Sequence, residues 1–142
     1  MPLNLDIVTP ERLAYSGSVD SVQVPGADGE LGILPHHAPL IATLGAGELR
    51  IRTGATEETF AVFGGFVQVL PDKVVVMAES ADLAAEIDLE RAQEARREAE
   101  RTLESGTHEA ADLAAARATL QQALLRIRVA ERRRHEGPRH RG

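Results

Sequence analysis

The sequence contains no cysteine and no tryptophan among its 142 residues. Without cysteine, disulfides, thiolate-bound zinc and a cysteine nucleophile are excluded. Aromatic residues make up only 3% of the chain, so it offers few of the flat side chains on which single-stranded nucleic acids stack. We therefore expect a core of aliphatic side chains, and nucleic acid is not an expected partner.

Long apolar runs are also missing. Runs such as residues 74–78 are far shorter than the roughly 20 residues that a membrane-spanning helix needs. The first residues show no basic segment followed by an apolar stretch and no arginine-rich presequence, so no targeting peptide is expected. Membrane association is expected only indirectly, through a partner.

Positive charge is scarce in the first part of the chain and concentrated near the end. Residues 1–84 carry 11 acidic and 4 basic side chains, whereas residues 85–142 carry 11 acidic and 12 basic ones. The basic end contains Arg126, Arg128, Arg132, Arg133 and Arg134. Two interpretations stay open: attraction to an acidic surface, or a solvated helix end whose cations complement the helix dipole.

The first part, residues 1–84, has the pattern of an antiparallel β-sandwich or flattened barrel. Leu3, Leu5 and Ile7 alternate with other residues at a period of two, which is typical of a half-buried strand. Further short strands follow at regular spacing, separated by turn signals such as Ser16-Gly17-Ser18. The predicted strands are residues 3–8, 13–15, 19–24, 31–34, 40–44, 48–52, 58–62, 66–70 and 74–78.

No catalytic or metal-binding pattern stands out in this part. The glycine-rich segment 25–32 lacks the Gly-Lys-Ser/Thr ending of a phosphate-binding loop. His36 and His37 are adjacent, and neighbouring side chains on an extended segment point apart, so a shared metal is not expected. No spacing of Ser, His and acidic residues indicates a catalytic triad.

The second part, residues 85–134, is predicted to be an antiparallel helical hairpin. Asp88 is a suitable N-cap, Ser105-Gly106 ends the first helix, and Thr107 can cap the second. The first helix carries an alanine-rich face, Ala92, Ala95, Ala99 and Leu103. The second carries the stripe Leu113, Ala116, Leu120, Ala123, Leu124, Ile127 and Ala130. Alanine methyls contribute little on burial, so we expect a weakly held hairpin that can open, followed by a disordered tail over residues 135–142.

Three motifs give the chain a specific resemblance along residues 2–134. They are VPGADGELGILPHHAPL at residues 24–40, GGFV at residues 64–67 and IDLERA at residues 87–92. With these motifs in this order, the chain resembles the epsilon subunit of bacterial F-type ATP synthase. The resemblance implies an α+β fold: a β-sandwich followed by a two-helix hairpin.

The function that the resemblance implies is that of a non-catalytic rotor subunit in the central stalk. The sandwich is then expected to bind the gamma subunit and the c-ring, at the cytoplasmic face of the bacterial membrane. The hairpin is expected to reach the alpha/beta catalytic head and to inhibit ATP hydrolysis. The residues assigned to partner binding are His37, Arg126, Arg128, Arg132, Arg133 and Arg134.

An alternative function is ATP sensing, because some members of the family bind ATP at the folded hairpin. The matching residues here are Ile87, Asp88, Arg91, Ala92 and Arg126. Glu98 and Gln122 stand where strong ATP binders have arginine, and a carboxylate and an amide weaken the binding of a triphosphate. Asp88 as a simple N-cap is the competing interpretation. No cofactor is expected to be required, with ATP as a weak regulatory ligand, and a small hydrolase or a nucleic-acid-binding protein fits the sequence poorly.

Overall fold

The computed structural model describes residues 3–106 and 109–136, with side chains up to residue 133. The chain divides into two compact units: one ends at Ala84 and the other begins at Ala85. The first unit contains all eight strands, and the second contains both long helices.

The strands and helices follow one another without mixing. The strands are β1 Leu3–Val8, β2 Leu13–Val19, β3 Ser21–Gly26, β4 Gly29–Ile33, β5 Leu40–Thr43, β6 Gly47–Thr53, β7 Thr56–Val69 and β8 Lys73–Leu83. A single 3-10 turn, Ala84–Glu86, precedes helix α1, Leu89–Glu104, and helix α2, Ala110–Glu136. The predicted α+β order of a sheet followed by a helical hairpin is confirmed.

The strands pair in the order β2-β1-β8-β7-β6-β3-β4, and β5 pairs with β7. The pairs are antiparallel except for β1 with β8, which run parallel. The sheet does not close, since β2 and β4 are its ends. It folds over a single core instead: on β2, Tyr15 makes an edge-to-face contact with Phe60 of β7, with ring centroids 6.1 Å apart.

The core consists of aliphatic side chains contributed by nearly every strand. On β1 the period-two pattern has the predicted result, because Leu3, Leu5 and Ile7 are fully buried. Burial of each such side chain stabilises the fold by about 1.5–3 kcal/mol. The buried cluster holds Leu3, Leu5, Ile7, Val19, Val22, Val24, Ile33, Leu44, Leu49, Ile51, Phe60, Val62, Val67, Val69, Val74, Val76, Ala78 and Ala81.

One long strand, β7, replaces the two strands predicted at residues 58–62 and 66–70. It continues through Gly64 and Gly65, whose φ angles of 61° and 107° suit glycine. Phe60 and Val62 face the core before this pair, whereas Val67 and Val69 face it afterwards. The glycines therefore shift the inward face by one residue while the pairing with β8 keeps its register.

The turn predicted at residues 16–18 is wrong, because these residues lie inside β2. Their polar side chains bond across to β1: Ser16 Oγ donates to Asp6 Oδ1 at 2.7 Å, and Ser18 Oγ donates to Asn4 Oδ1 at 3.2 Å. The chain turns later, at Asp20, whose carboxylate accepts a hydrogen bond from the Gly54 N–H at 2.6 Å. Strand pairing thus outweighs the local turn preference of a Ser-Gly-Ser sequence.

Helix α1 has the limits that its capping residues predict. Helix α1 begins after Asp88 and ends at Ser105, followed by Gly106 with a φ of 78°. Helix α2 extends to Glu136, two residues beyond the expected end. The proposed cap at Thr107 and the tail after residue 136 lie outside the described residues. No described helix is long and apolar enough to span a membrane.

The apolar stripe predicted on α2 is correct except at one position. Ala116, Ala123, Ile127 and Ala130 are buried, but Leu124 is exposed. Leu125 and Val129 are buried instead, so α2 has apolar side chains on more than one side. The prediction assumed a single buried face on α2, so it could not identify the buried residues on a second face.

Candidate functional site

The start of α1 is organised by Asp88. Its carboxylate accepts a hydrogen bond from the Arg91 N–H at 3.1 Å, and its carbonyl accepts one from the Ala92 N–H at 3.0 Å. Asp88 has an extended backbone, with φ −82° and ψ 101°, which is the geometry of an N-cap. The carboxylate of the predicted ATP motif is therefore already engaged by the helix it begins.

A shallow depression of about 600 Å³ runs along α1 from this cap. Asp88 and Arg91 line it, as does Glu98, one of the two residues that depart from the ATP-binding pattern. Its lining includes four carboxylates (Asp88, Glu90, Glu94 and Glu98) and two guanidinium groups (Arg91 and Arg97). This excess of negative charge disfavours a triphosphate.

The other residues assigned to ATP lie elsewhere. Ala92 is buried, while Ile87 and Arg126 are half-buried. None of these three belongs to the described lining of the depression. Arg126 already interacts with other groups of the protein. Of the predicted ATP residues, the depression thus brings together only Asp88 and Arg91.

The basic end of α2 presents its arginines on two sides of the helix. Arg126 and Arg133 are seven residues apart and share one side, whereas Arg128 and Arg132 are four apart and share another. Arg128, Arg132 and Arg133 are exposed, and Arg128 and Arg132 interact with other groups of the protein. The side chain of Arg134 lies outside the described residues. This arrangement is a cationic helix end rather than a single patch.

His37 lies in the connection between β4 and β5. Its backbone N–H donates to the Leu34 carbonyl at 3.2 Å, and its Nδ1 lies 2.8 Å from the Ala38 carbonyl oxygen. The preceding His36 has a φ of 67°, and its N–H donates to the Pro71 carbonyl at 2.8 Å. The His36 bond joins the loop to the β7–β8 turn, whereas the contacts of His37 lie within the loop. Within residues 3–106 and 109–136, no group of His, Asp and Glu is arranged to hold a metal ion.

Tyr15 has a raised pKa for reasons that lie in the packing of the sandwich. Burial raises the pKa above its usual 10.0, the nearby Glu58 carboxylate raises it further, and a hydrogen bond with Thr53 opposes both. Its ring meets Phe60 edge to face. Tyr15 therefore joins β2 to β6 and β7 through Thr53, Glu58 and Phe60.

An exposed apolar row crosses the sheet on the side facing away from the core. Phe66 of β7 is paired with Met77 of β8, Met77 with Val8 of β1, and Val8 with Leu13 of β2. Ile41 of β5 lies beside the row rather than in line with it, because its partner on β7 is Gln68, two residues after Phe66. Four of these side chains are well exposed: Ile41 by 70%, Leu13 by 58%, Phe66 by 52% and Met77 by 43%. We call these five residues the outer stripe.

The outer stripe was not predicted from the sequence, although a signal for it was present. Residues 74–78 are apolar at every position, whereas a strand with one solvated face alternates. Val74, Val76 and Ala78 account for the inward face, since they are buried. Val75 and Met77 between them are apolar as well, and they leave apolar surface on the outward face of β8.

The two units of the chain match two known domain families. Residues 2–84 match the beta-sandwich domain of the ATP synthase Delta/Epsilon chain. Residues 85–131 match its long alpha-helix domain. The boundary between the two matches coincides with the boundary between the two compact units.

Similar proteins and structures agree with this assignment. The ATP synthase epsilon chain of Dehalococcoides mccartyi is 48% identical over 132 residues, which covers 93% of this chain and 94% of the relative. That of Halalkalibacterium halodurans is 45% identical over 130 residues, covering 92% and 98%. A chain in the Euglena gracilis mitochondrial ATP synthase structure shares the fold, with a TM-score of 0.65 at 20% identity, and the match covers 92% of this chain and 78% of that one. The protein thus belongs to the ATP synthase epsilon chain family.

Proposed function

We propose that the chain is a non-catalytic rotor subunit of a bacterial F-type ATP synthase. In this role it couples proton translocation to ATP synthesis from the cytoplasmic face of the cell membrane, which it reaches only through the complex. Two properties support the proposal: the chain matches both domains of the ATP synthase Delta/Epsilon chain, and its fold matches chains of ATP synthase structures. One of these structures is the central stalk and c-ring of the Tetrahymena thermophila mitochondrial ATP synthase.

The sandwich is the attachment domain in this proposal. It binds the gamma subunit and lies on the c-ring. The outer stripe supports an attachment of this kind, because contiguous apolar side chains on a soluble domain mark protein interfaces. The loop that contains His37 supplies a second, more polar surface at one end of the sandwich.

The helical hairpin is the regulatory domain, and it inhibits ATP hydrolysis when it meets the alpha/beta head. The observation that carries this proposal is the composition of the helix contact. The buried residues of α1 are only Ala92 and Ala99, so α1 itself contributes little apolar surface to the contact. The exposed cations of Arg132 and Arg133 then provide an attraction to an acidic segment of the head.

The test is the ATPase activity of the reconstituted complex with the full chain and with a chain that ends at Ile87. We expect the truncated chain to remain bound and hydrolysis to rise several-fold. A matched variant, Arg132→Glu with Arg133→Glu, keeps the hairpin and should relieve part of the inhibition. If hydrolysis is the same with all three chains while each stays bound, the inhibitory role is wrong.

ATP sensing is the second candidate, favoured by the position of Asp88 and Arg91 on one depression. The four carboxylates there lead us to propose only weak binding. Calorimetric titration of the full chain with ATP tests this, with Arg91→Ala expected to abolish the heat signal. Glu98→Arg removes one negative charge and adds a cation, so it should strengthen binding at least tenfold. Saturable micromolar binding by the unaltered chain would contradict weak binding.

A further inference from the structure

We propose that Arg96 is a destabilising residue built into the helical hairpin. It places a guanidinium group in the packed face of α1, and this group keeps the contact between α1 and α2 easy to open. The inference deepens the regulatory part of the proposed function and rests on it for its consequence in the complex. It adds the residue that sets how readily the two helices separate.

The packed face of α1 is a row of five residues at alternating spacings of three and four. They are Leu89, Ala92, Arg96, Ala99 and Leu103. This spacing keeps side chains on one side of a helix and is typical of helices that pack along their length. Ala92 and Ala99 are buried, and the other three are half-buried. We call these five residues the α1 seam, and Arg96, at its centre, is its only charged member.

Helix α2 has a row with the same spacing, but it is apolar throughout. Its members are Leu113, Ala116, Leu120, Ala123, Ile127 and Ala130. The two helices pack against each other within one compact unit. From residue 113 to residue 130, α2 contains no Asp or Glu. The middle of α2 therefore offers Arg96 no carboxylate, and the carboxylate beside Arg96 belongs to α1 itself.

The guanidinium group of Arg96 is incompletely bonded. Its Nε lies 4.0 Å from Glu100 Oε1, which is too far for a hydrogen bond. Nε is also shielded from solvent, and among the described residues no group accepts its proton. The side chain as a whole is 39% exposed, so part of it reaches water while Nε does not. A donor that loses water without gaining an acceptor opposes the closed contact.

The ion pair with Glu100 offsets this only in part. Arg96 precedes Glu100 by four residues, and this order of cation and carboxylate is the less favourable one on a helix. Glu100 is also 47% exposed, so water screens the attraction. Opening of the hairpin returns Nε of Arg96 to water, a gain that an apolar residue at this position would not provide. Arg96 therefore shifts the equilibrium toward separated helices.

The first test is hydrogen exchange of the isolated full chain. Arg96→Met keeps an unbranched side chain and a similar helix propensity, but it removes the charge and the donor. Amides of residues 92–103 should exchange at least fivefold more slowly, after correction for intrinsic rates. Arg97→Met is the matched control, because Arg97 is the exposed neighbour outside the α1 seam and carries the same charge. It should change exchange less than twofold.

Two results of this test would overturn the inference. If Arg96→Met leaves exchange unchanged or makes it faster, Arg96 does not oppose the closed contact. If Arg96→Met and Arg97→Met slow exchange equally, the effect comes from the net charge of α1 and not from the seam.

The second test examines the pairing with Glu100 by a double-mutant cycle. Glu100→Gln should speed exchange of the same amides about threefold, because it removes the carboxylate that partly compensates Arg96. In a chain that already carries Arg96→Met, the same substitution should have no effect. Equal effects in the two chains would contradict the compensation assigned to Glu100.

The third test follows the consequence in the reconstituted complex. Arg96→Met favours the closed hairpin, so ATP hydrolysis should rise at least twofold over the complex with the unaltered chain. If hydrolysis stays unchanged although Arg96→Met slows exchange and truncation at Ile87 raises hydrolysis, separation of the helices is not the step that inhibition requires.

The outcomes distinguish the inference from the proposed function. If truncation at Ile87 leaves hydrolysis unchanged, the inhibitory function fails, and the exchange experiment still decides the role of Arg96. If truncation raises hydrolysis but Arg96→Met does not slow exchange, the proposed function stands and the role given to Arg96 is wrong.

Discussion

The sandwich and the helical hairpin are stabilised in different ways. The sandwich buries large side chains from strands far apart in the sequence, so any part of it depends on the rest. Helix α1 buries only Ala92 and Ala99, and its own residues provide much of its support. Asp88 caps it, and Arg96 lies 4.0 Å from Glu100 one turn later. The sandwich therefore depends on contacts between distant strands, whereas α1 takes part of its stability from residues close to it in the sequence.

The largest expected change in stability tests the packing of the sandwich. Gly65→Ala places a methyl against the carbonyl oxygen of Met77 at a φ of 107°, so the β7–β8 pair must separate. We expect a loss of about 3 kcal/mol or more in the free energy of unfolding. Gly54→Ala is the control, since its φ of 63° is also positive but an added Cβ meets no described atom within 4 Å. Gly54→Ala should lower the free energy of unfolding by only about 1–2 kcal/mol. If both variants lose the same amount, the close approach of β8 at Gly65 does not require glycine.

The second prediction compares a buried residue from each unit. Leu49→Ala should lower the global free energy of unfolding by about 2–5 kcal/mol, because Leu49 is fully buried in the sandwich. Ile127→Ala should lower the protection of the helix amides while the strand amides keep theirs. Native-state hydrogen exchange measures both. Equal loss of strand protection in the two variants would mean that the units unfold together.

The third prediction concerns the cap of α1. Asp88→Ala removes the acceptor for the Arg91 N–H and should cost about 1 kcal/mol, confined to α1. Asp88→Asn keeps an acceptor and should cost much less. Hydrogen exchange of residues 91–95 reports the change. An unchanged exchange rate in the alanine variant would show that α1 does not depend on its cap.

The smallest effect is a pH dependence within the sandwich. The raised pKa of Tyr15 means that, above about pH 10, the unfolded chain loses the phenolic proton while the folded chain keeps it. This contribution is present below that pH and is lost as the pH rises toward the folded pKa. Tyr15→Phe should therefore show a slightly shallower fall in stability above pH 10. Urea unfolding of both chains at pH 9 and pH 11 checks it, and parallel curves would contradict the assigned burial.

The sequence predicted local features well and non-local ones poorly. Asp88 and Ser105-Gly106 act through their nearest neighbours, so the limits of α1 could be inferred from residue type. The turn expected at residues 16–18 failed because its serines bond to β1, which depends on a pairing that a single stretch cannot reveal. Similarly, the sequence showed two glycines at residues 64 and 65 but not that β7 passes through them. The exposure of Leu124 could not be predicted either, because the sequence does not show which side of α2 is buried.

In the candidate site, too, the sequence predicted local features better than features that depend on strand pairing. The cap role of Asp88 and the departure at Glu98 were inferred from the motif, and both lie on the α1 depression. The apolar run at residues 74–78 was a local sign of the outer stripe. Phe66 and Val8 could be placed beside Met77 only from the strand register, because they are distant from it in sequence. A surface assembled by strand pairing needs the pairing before it can be recognised.

The separate stability of the two units is the central claim, and hydrogen exchange of the unaltered full chain tests it most directly. Amides of α1 should exchange through an opening of much lower free energy than amides of β1, β7 and β8, and denaturant at low concentration should leave this difference in place. If the amides of α1 are as strongly protected as those of the central strands, the hairpin is not a separable unit, and its proposed movement into the catalytic head is contradicted.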